Sequence, residues 1–201
     1  MIKSKFTIVT FYQFKKIDDI LKIKNELVHF CKFNKIKGTI ILAGEGINGT
    51  LAGVYESIIK FESHLLSLGF ANHNPKYSHS KFMPFFRLKV RDKKEIVTLK
   101  SKNVDPENIT GKKIKPKYWN NLISDKKTIL IDLRNNFEVE MGTFKNSLNP
   151  NTKSFTDFKS YVKNNLKKAK DKEIAMFCTG GIRSEEMSSY MIKKGLKDVN
   201  Q

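Results

Sequence analysis

From Thr7 to Tyr12 the chain reads TIVTFY, a β-branched and aromatic run that predicts a strand. Ile17, Ile20, Leu21, Leu27, Val28 and Cys31 then recur at helical spacing from Asp18 onward, and this helix is expected to end before Gly38. Asp18 and Asp19 suit its positive amino-terminal end. A short apolar strand, Thr39 to Ala43, leads into a glycine-rich turn, Gly44-Glu45-Gly46-Ile47-Asn48-Gly49, and a second strand through Thr50, Leu51 and Ala52. Ile58, Phe61, Leu65 and Leu68 form the next helical stripe, closed by Gly69. Phe86, Leu88 and Val90 alternate with Arg87, Lys89 and Arg91, which predicts a strand with one apolar and one cationic face.

The order is βαββαβ, an α+β, ferredoxin-like plan of two helices on one antiparallel sheet, expected over residues 1–91. Over residues 92–117 the pattern weakens, and Pro106, Gly111 and Pro116 punctuate a Lys-rich stretch that reads as a linker. Residues 118–201 follow a different pattern. A short helix around Tyr118 to Ile123 precedes a strand, Thr128 to Leu133. A helix from Ser154 to Lys168 points Phe155, Phe158, Val162 and Leu166 inward, with Ser154 and Asp157 placed for a capping arrangement. A buried strand, Ile174 to Cys178, runs through a glycine turn into a helix that includes Met191 and closes at Gly195. Strands alternating with helices predict an α/β domain, a parallel sheet covered on both faces.

The 201 residues include 38 Lys or Arg and 20 Asp or Glu, a net charge of +18, shared evenly between the two halves. A positive potential over the whole body favours a polyanion such as nucleic acid, through phosphate neutralisation and counterion release. Only four of the 38 cations are Arg, and a chain rich in Lys, Asn and Ile also fits AT-biased coding, so charge leaves both readings open. No apolar run approaches the roughly 20 residues that span a bilayer. The start, MIKSKFTIVTFYQF, has no apolar segment followed by a small-residue cleavage site, so a cytoplasmic location is expected, with no membrane partner. Cys31 and Cys178, 147 positions apart, form no metal-binding pair by proximity, and a reducing compartment argues against a structural disulfide.

The strongest chemical signal is Glu173-Ile174-Ala175-Met176-Phe177-Cys178-Thr179-Gly180-Gly181-Ile182-Arg183-Ser184. An apolar strand delivers a cysteine to its carboxyl end, two glycines let the backbone curl around the sulfur, and a helix begins as the loop closes. Backbone N–H groups aimed at one point, together with Arg183, would lower the thiol pKa and stabilise an anion beside it. Strand ends in open parallel sheets are also where ligands bind. Cys178 is therefore the candidate nucleophile, and Thr179, Gly180, Gly181, Ile182 and Arg183 its anion-binding loop.

The run C-x-x-G-x-R-S resembles the active-site loop of the rhodanese (sulfurtransferase) family, whose cysteine carries a persulfide. Asp132-Leu133-Arg134 with Glu138 and Gly142-Thr143-Phe144 resembles that family's earlier D-x-R…E…G-H-I segment, with Thr143 in place of the usual histidine. Over nearly the whole chain, AGEGINGTLAG, PFFRLKV, KKEIVTL, DPENITGKKIKPKYWNNLI, GTFKNSLNPNTKSF and AMFCTGGIR resemble the bacterial tRNA uridine(34) hydroxylase family, the rhodanese-domain UPF0176 proteins. The resemblance implies an acylphosphatase-like ferredoxin fold joined to a rhodanese domain. It also implies an oxidoreductase that installs 5-hydroxyuridine at the tRNA wobble position, with molecular oxygen as co-substrate, tRNA as partner and a sulfur- or electron-donor protein as a further one. Many relatives read CTGGIRCEK, whereas Ser184 stands here at the second cysteine position, so a single-cysteine mechanism must suffice. Relatives also continue past GLKDVNQ, so a chain stopping at Gln201 is expected to be truncated within its rhodanese fold and less stable than a longer version.

Asp132 and Arg134, at the end of a neighbouring strand, either organise the site by ion pairing or take part in the reaction. No flavin, haem or two-His-one-carboxylate pattern is visible, and the cofactor is left unknown. The turn from Gly44 to Gly49 lacks the Lys-Ser/Thr of a P-loop and reads as a tight connection, with RNA contact as the alternative. Arg87, Lys89 and Arg91 make either a phosphate track beside Phe85 or a solvated sheet face. His29, His64, His73 and His79 have no metal-ligand spacing, although His73 and His79 could share a strand face. Cys31 falls on the apolar helix stripe and reads as a packed core thiol.

Overall fold

A computed structural model describes residues 5–101, 104–166, 169 and 171–201, and divides the chain into two units, 1–96 and 97–201. In the first, strand β1 (Phe6–Phe14) is followed by helix α1 (Ile20–Phe33), strands β2 (Lys37–Ala43) and β3 (Gly46–Gly53), helix α2 (Tyr55–Ser67), and strands β4 (Lys76–Ser80) and β5 (Leu88–Asp92). The sheet runs β4-β1-β3-β2-β5. Asp19 caps α1 by accepting the Lys22 N–H at 2.9 Å. Leu27 and Cys31 of α1 and Ile58, Phe61 and Leu65 of α2 share one core with Val9, Phe11, Ile40, Leu42, Ile47 and Leu51, so both helices lie on the same face of the sheet.

Two details differ from the sequence reading. The strand that completes the ferredoxin-like plan is β4, antiparallel to β1, and the strand expected from Phe86 to Arg91 is instead a fifth one, Leu88–Asp92, at the far edge and parallel to β2. The sequence KYSHS hides β4 because an exposed edge strand carries no apolar alternation. Leu88 and Val90 do face the core, but Phe86 is 99% exposed, outside the strand. The glycine turn is also shorter than expected. Ala43 pairs with Gly46, leaving Gly44-Glu45 as a two-residue hairpin connection. At Gly46, φ is 151° and a Cβ would stand 2.1 Å from the Gln13 carbonyl oxygen; at Gly49 one would stand 2.7 Å from the Phe11 ring. These glycines therefore serve close packing of β3 against β1.

The unit boundary, between Ile96 and Val97, falls inside the stretch read as a linker. Ile96 is buried, its N–H bonded to Glu45 Oε1 at 2.6 Å and its carbonyl to Asn48 Nδ2 at 3.0 Å. Leu99 is buried in the second core, and the Lys112 N–H donates to the Val199 carbonyl at 2.9 Å. Residues 97–117 are thus built into the second unit wherever they are described.

That unit contains helix α3 (Pro116–Ser124), strand β6 (Ile129–Asp132), helix α4 (Asn136–Glu140), a 3₁₀ turn (Phe155–Asp157), helix α5 (Phe158–Asn165), strand β7 (Ile174–Phe177), helix α6 (Ile182–Lys193) and strand β8 (Val199–Asn200). Its sheet, β6-β7-β8, is parallel throughout. Ser154 and Asp157 form a reciprocal capping box, and Phe155, Phe158, Val162 and Leu166 are buried. Lys168, the expected end of that helix, lies outside the described residues. No helix among the described residues is long and apolar enough to cross a membrane.

Candidate active site

Parallel pairing of β6 with β7 sets Asp132 beside Phe177, and the Leu133 N–H donates to the Phe177 carbonyl at 3.0 Å. The two loops that leave these strands therefore start side by side, at carboxyl ends, where open parallel sheets present ligands.

Cys178 follows β7 directly and is half-buried. The chain then bends through Thr179 and Gly180 to Gly181, the N-cap of α6, whose φ of 98° lies in the left-handed region that favours glycine. This curl returns the Gly181 N–H to the sulfur, to which it donates at 3.1 Å. A Cβ built on Gly180 would meet nothing within 4 Å, so the loop has open space beside it. A Gly181→Ala substitution is expected to cost about 1–2 kcal/mol through backbone strain and to draw the N–H away from sulfur. Urea denaturation checks the first effect and the rate of Cys178 alkylation the second; wild-type values for both would refute this role of Gly181.

Arg183 lies in the first turn of α6 and grips Glu138 of α4 with two parallel bonds, each 2.8 Å. Its Nη2 also donates to Thr179 Oγ1 at 3.2 Å, and the Thr179 hydroxyl donates to Glu138. The bond from Arg183 holds the Glu138 carboxyl at a pKa of about 2, against the opposing effect of burial and with further help from Thr179 and the Asn135 N–H. Burial by itself would lower the Arg183 pKa, but Glu138 and the nearby Cys178 sulfur outweigh it and raise it. One carboxylate thus anchors the cysteine loop from outside.

Asp132 is fully buried and bonded to Arg134 through Nε at 2.9 and 3.1 Å and through Nη2 at 2.6 Å. Thr143, at the position of the usual histidine, donates to Asp132 Oδ2 at 2.7 Å. Burial pushes the Asp132 carboxyl up, yet the Arg134 and Thr143 bonds prevail and hold it below its usual range. Arg134 Nη2 also donates to the Gly142 carbonyl at 2.6 Å, and the guanidinium lies 5.4 Å from the centre of the Phe177 ring. Phe144 meets Phe177 edge-on at 4.9 Å, and Trp119 stands 6.0 Å from Phe144. The second loop is therefore tied down by the acid–arginine pair and walled by aromatics.

The geometry brings together Cys178, Thr179, Gly180, Gly181, Ile182 and Arg183, with Asp132 at the end of the neighbouring strand and Arg134 in the loop that leaves it. Arg87, Lys89 and Arg91 belong to the first unit, at and before β5. Sequence reading named Glu138 only within a motif and gave it no role. Asn135 and Glu138 form a capping box in which the Asn135 N–H donates to Glu138 at 3.0 Å, and the spacing N-x-x-E could have drawn attention to it. Ser184, in the first turn of α6, is buried. Cys31 is buried in the first core, and burial pushes its thiol up to about 12. His73 precedes β4, with Nδ1 2.8 Å from the Phe70 carbonyl oxygen, so it does not share a strand face with His79. Among the described residues no cluster of three or more His, Cys, Asp or Glu could hold a metal ion.

Comparison with solved structures finds weak likenesses. BlrP1 from Klebsiella pneumoniae, in a complex with FMN and cyclic diGMP, is 15% identical over 43% of this chain and 25% of its own, with a TM-score of 0.36. An acylphosphatase from Coxiella burnetii is 12% identical over 45% of this chain and 100% of its own, with a TM-score of 0.31. Full-length HypF, in a phosphate- and nucleotide-bound form, is 8% identical over 62% of this chain and 16% of its own, with a TM-score of 0.34. The chain spans about a quarter of the length of BlrP1. Family comparison is more specific: the UPF0176 acylphosphatase like domain matches residues 6–96, and the rhodanese-like domain matches residues 115–200. With the first domain joined to the second, and Cys178 in the loop that the second supplies, the chain belongs to the UPF0176 rhodanese-domain family.

Proposed function

We propose that the protein is a tRNA-modifying enzyme that hydroxylates C5 of the wobble uridine, residue 34 of tRNA, with Cys178 as its essential thiol and molecular oxygen as co-substrate. The observation that carries this reading is the union, in one chain, of a UPF0176 domain with a rhodanese-like loop whose cysteine is held by the Gly181 N–H. Replacing C5–H by C5–OH consumes one atom of oxygen; the other leaves as water and takes two protons and two electrons. A sulfur- or electron-donor protein would supply those electrons, and a cytoplasmic location belongs to the same proposal. Nucleoside mass spectrometry of tRNA from cells lacking the protein tests it. Loss of 5-hydroxyuridine derivatives, restored by the wild type and not by Cys178→Ser, is the expected result.

A second reading, a sulfurtransferase that carries a persulfide on Cys178, draws on the same 3.1 Å N–H bond to sulfur, which suits a bound sulfur anion. Loss of thiolated uridine in that experiment would favour it. Unchanged nucleosides would leave a non-catalytic RNA-binding protein, and both enzymatic readings would fail.

In the proposed enzyme Arg87, Lys89 and Arg91 contact RNA phosphates. Replacing all three by Ala should weaken tRNA binding and flatten its salt dependence by a slope of about 0.7–0.9 for each phosphate that is no longer neutralised. An unchanged slope would remove them from the binding surface.

A further inference from the structure

The face of the first sheet opposite α1 and α2 has an arrangement that only strand register reveals. Lys89 is level with Thr39, Thr39 with Thr50, Thr50 with Thr10, and Thr10 with Lys76. These five residues form a row across all five strands, three hydroxyls between two lysines, about 19 Å long at four strand spacings. Side-chain contacts fix which way the row points. The Thr10 and Thr50 hydroxyls share a hydrogen bond at 3.1 Å, while their neighbours Val9, Phe11 and Leu51 enter the core. Tyr77 donates to Glu62 of α2, which puts Lys76 on the opposite face, and Leu88 and Val90 pack into the core, which does the same for Lys89 and Arg91.

Parallel rows extend the pattern. Arg91 is level with Ile41 and Asn48, and Lys37 with Ala52 and Ile8; Arg87 precedes Leu88, the partner of Gly38. Every charged side chain on this strand face is a cation, and none of its strand positions, among the described residues, is Asp or Glu. Thr10, Thr39 and Thr50 are part-exposed, as are Lys37 and Lys89, and Lys76 and Arg91 are exposed. The segment joining the two sheet edges, from β4 to β5, carries Phe82 and Phe86 at 75% and 99% exposure.

We propose that this face binds a single-stranded RNA segment laid across the five strands. Lys37, Lys76, Lys89 and Arg91 neutralise phosphates, the threonine row donates hydroxyl hydrogen bonds to backbone oxygens, and Phe82 and Phe86 offer rings on which bases stack. The inference rests on the reading of an RNA substrate and names the surface that holds it. Strand positions that carry cations and no carboxylate suit a polyanion, and exposed aromatics on the segment that joins the two sheet edges suit unpaired bases more than a duplex.

The test is fluorescence anisotropy with a labelled 12-nucleotide oligouridylate and the full chain. Replacing Lys37, Lys76, Lys89 and Arg91 together by Gln should weaken binding by about tenfold or more and lower the salt slope by about 0.7 for each phosphate that is no longer neutralised. The same change of net charge made with Lys16, Lys22, Lys32 and Lys60 should leave binding within about twofold. Equal losses from the two sets would mean a diffuse field and overturn the proposal, as would no loss from the first. Phe82→Ala with Phe86→Ala should weaken oligouridylate binding while sparing heparin binding; equal effects on both ligands would overturn the stacking role. Lysine acetylation of the unmutated protein, read by mass spectrometry, removes dependence on variant folding. RNA should protect Lys37, Lys76 and Lys89, and absence of protection at saturating RNA would overturn the assignment. None of these assays needs turnover, so a failed nucleoside experiment with intact binding counts against the hydroxylase reading alone.

Discussion

A Cys178→Ser protein is expected to lose the proposed tRNA-modifying activity by about 10⁴-fold or more, the scale on which removal of an essential nucleophile acts, while Cys31→Ala keeps it. The two thiols stand in opposite environments. Cys31 is sealed in the core between α1, α2 and the sheet, and burial pushes its thiol up to about 12, so very little of it is thiolate at pH 8. Reagents reach it only when the domain opens. Cys178 is half-buried at a strand end, receives the Gly181 N–H and lies in a loop with open space beside Gly180. Iodoacetamide at pH 8 should therefore label Cys178 in the folded protein, with Cys31 reacting only after denaturant is added. Faster labelling of Cys31 in the native state, or modification activity surviving in Cys178→Ser, would refute the assignment.

Glu138→Gln is the second substitution with a large expected effect, on stability and on the loop together. The carboxylate makes two bonds to Arg183 and accepts others from Thr179 and the Asn135 N–H, so it joins α4, the cysteine loop and α6. Gln can keep some of these bonds but leaves the largely buried Arg183 guanidinium without its counter-charge. Breaking such a pair costs about 3 kcal/mol, which for a unit of this size lowers the melting temperature by more than about 10 °C.

The pH dependence has a definite sign. The carboxyl has a pKa of about 2 in the folded protein and an ordinary value of 4.5. The folded state therefore favours the ionised form. The stabilisation is present in full above about pH 5 and is lost as pH falls through the window from 4.5 to 2. Glu138→Gln should flatten the acid limb of stability in that window. A variant with wild-type melting temperature and an unchanged acid limb would show that the anchor is dispensable.

Elements whose information lies in neighbouring residues were legible from the chain. The apolar stripes of α2 and α5, most of that of α1, from which the exposed Leu21 departs, and the capping box of Ser154 and Asp157 follow from spacings of three and four residues. The cysteine loop was legible for the same reason, because strand, thiol, two glycines, arginine and helix start all fall between Glu173 and Ser184. A helix face or a strand-to-helix loop is built from consecutive residues, so its chemistry can be read in order.

What the tertiary structure decided involves pairing between distant segments. Strand β4 is polar and exposed, and only its hydrogen bonds to β1 make it a strand. The run read as a linker has apolar residues, Ile96 and Leu99, that are buried in separate units. Glu138 and Arg183 are 45 positions apart, and they meet because β6 and β7 lie side by side and aim their loops together. The threonine and lysine row draws one residue from each of five strands, so a one-residue slip in any pairing would turn that strand's contribution to the other face. The chain by itself thus determined the helices α1, α2, α5 and α6, the loop that carries the candidate thiol and the overall charge. Tertiary pairing decided which cations share a face and which carboxylate holds the loop, because register and strand order depend on the summed packing of both cores and not on any local spacing.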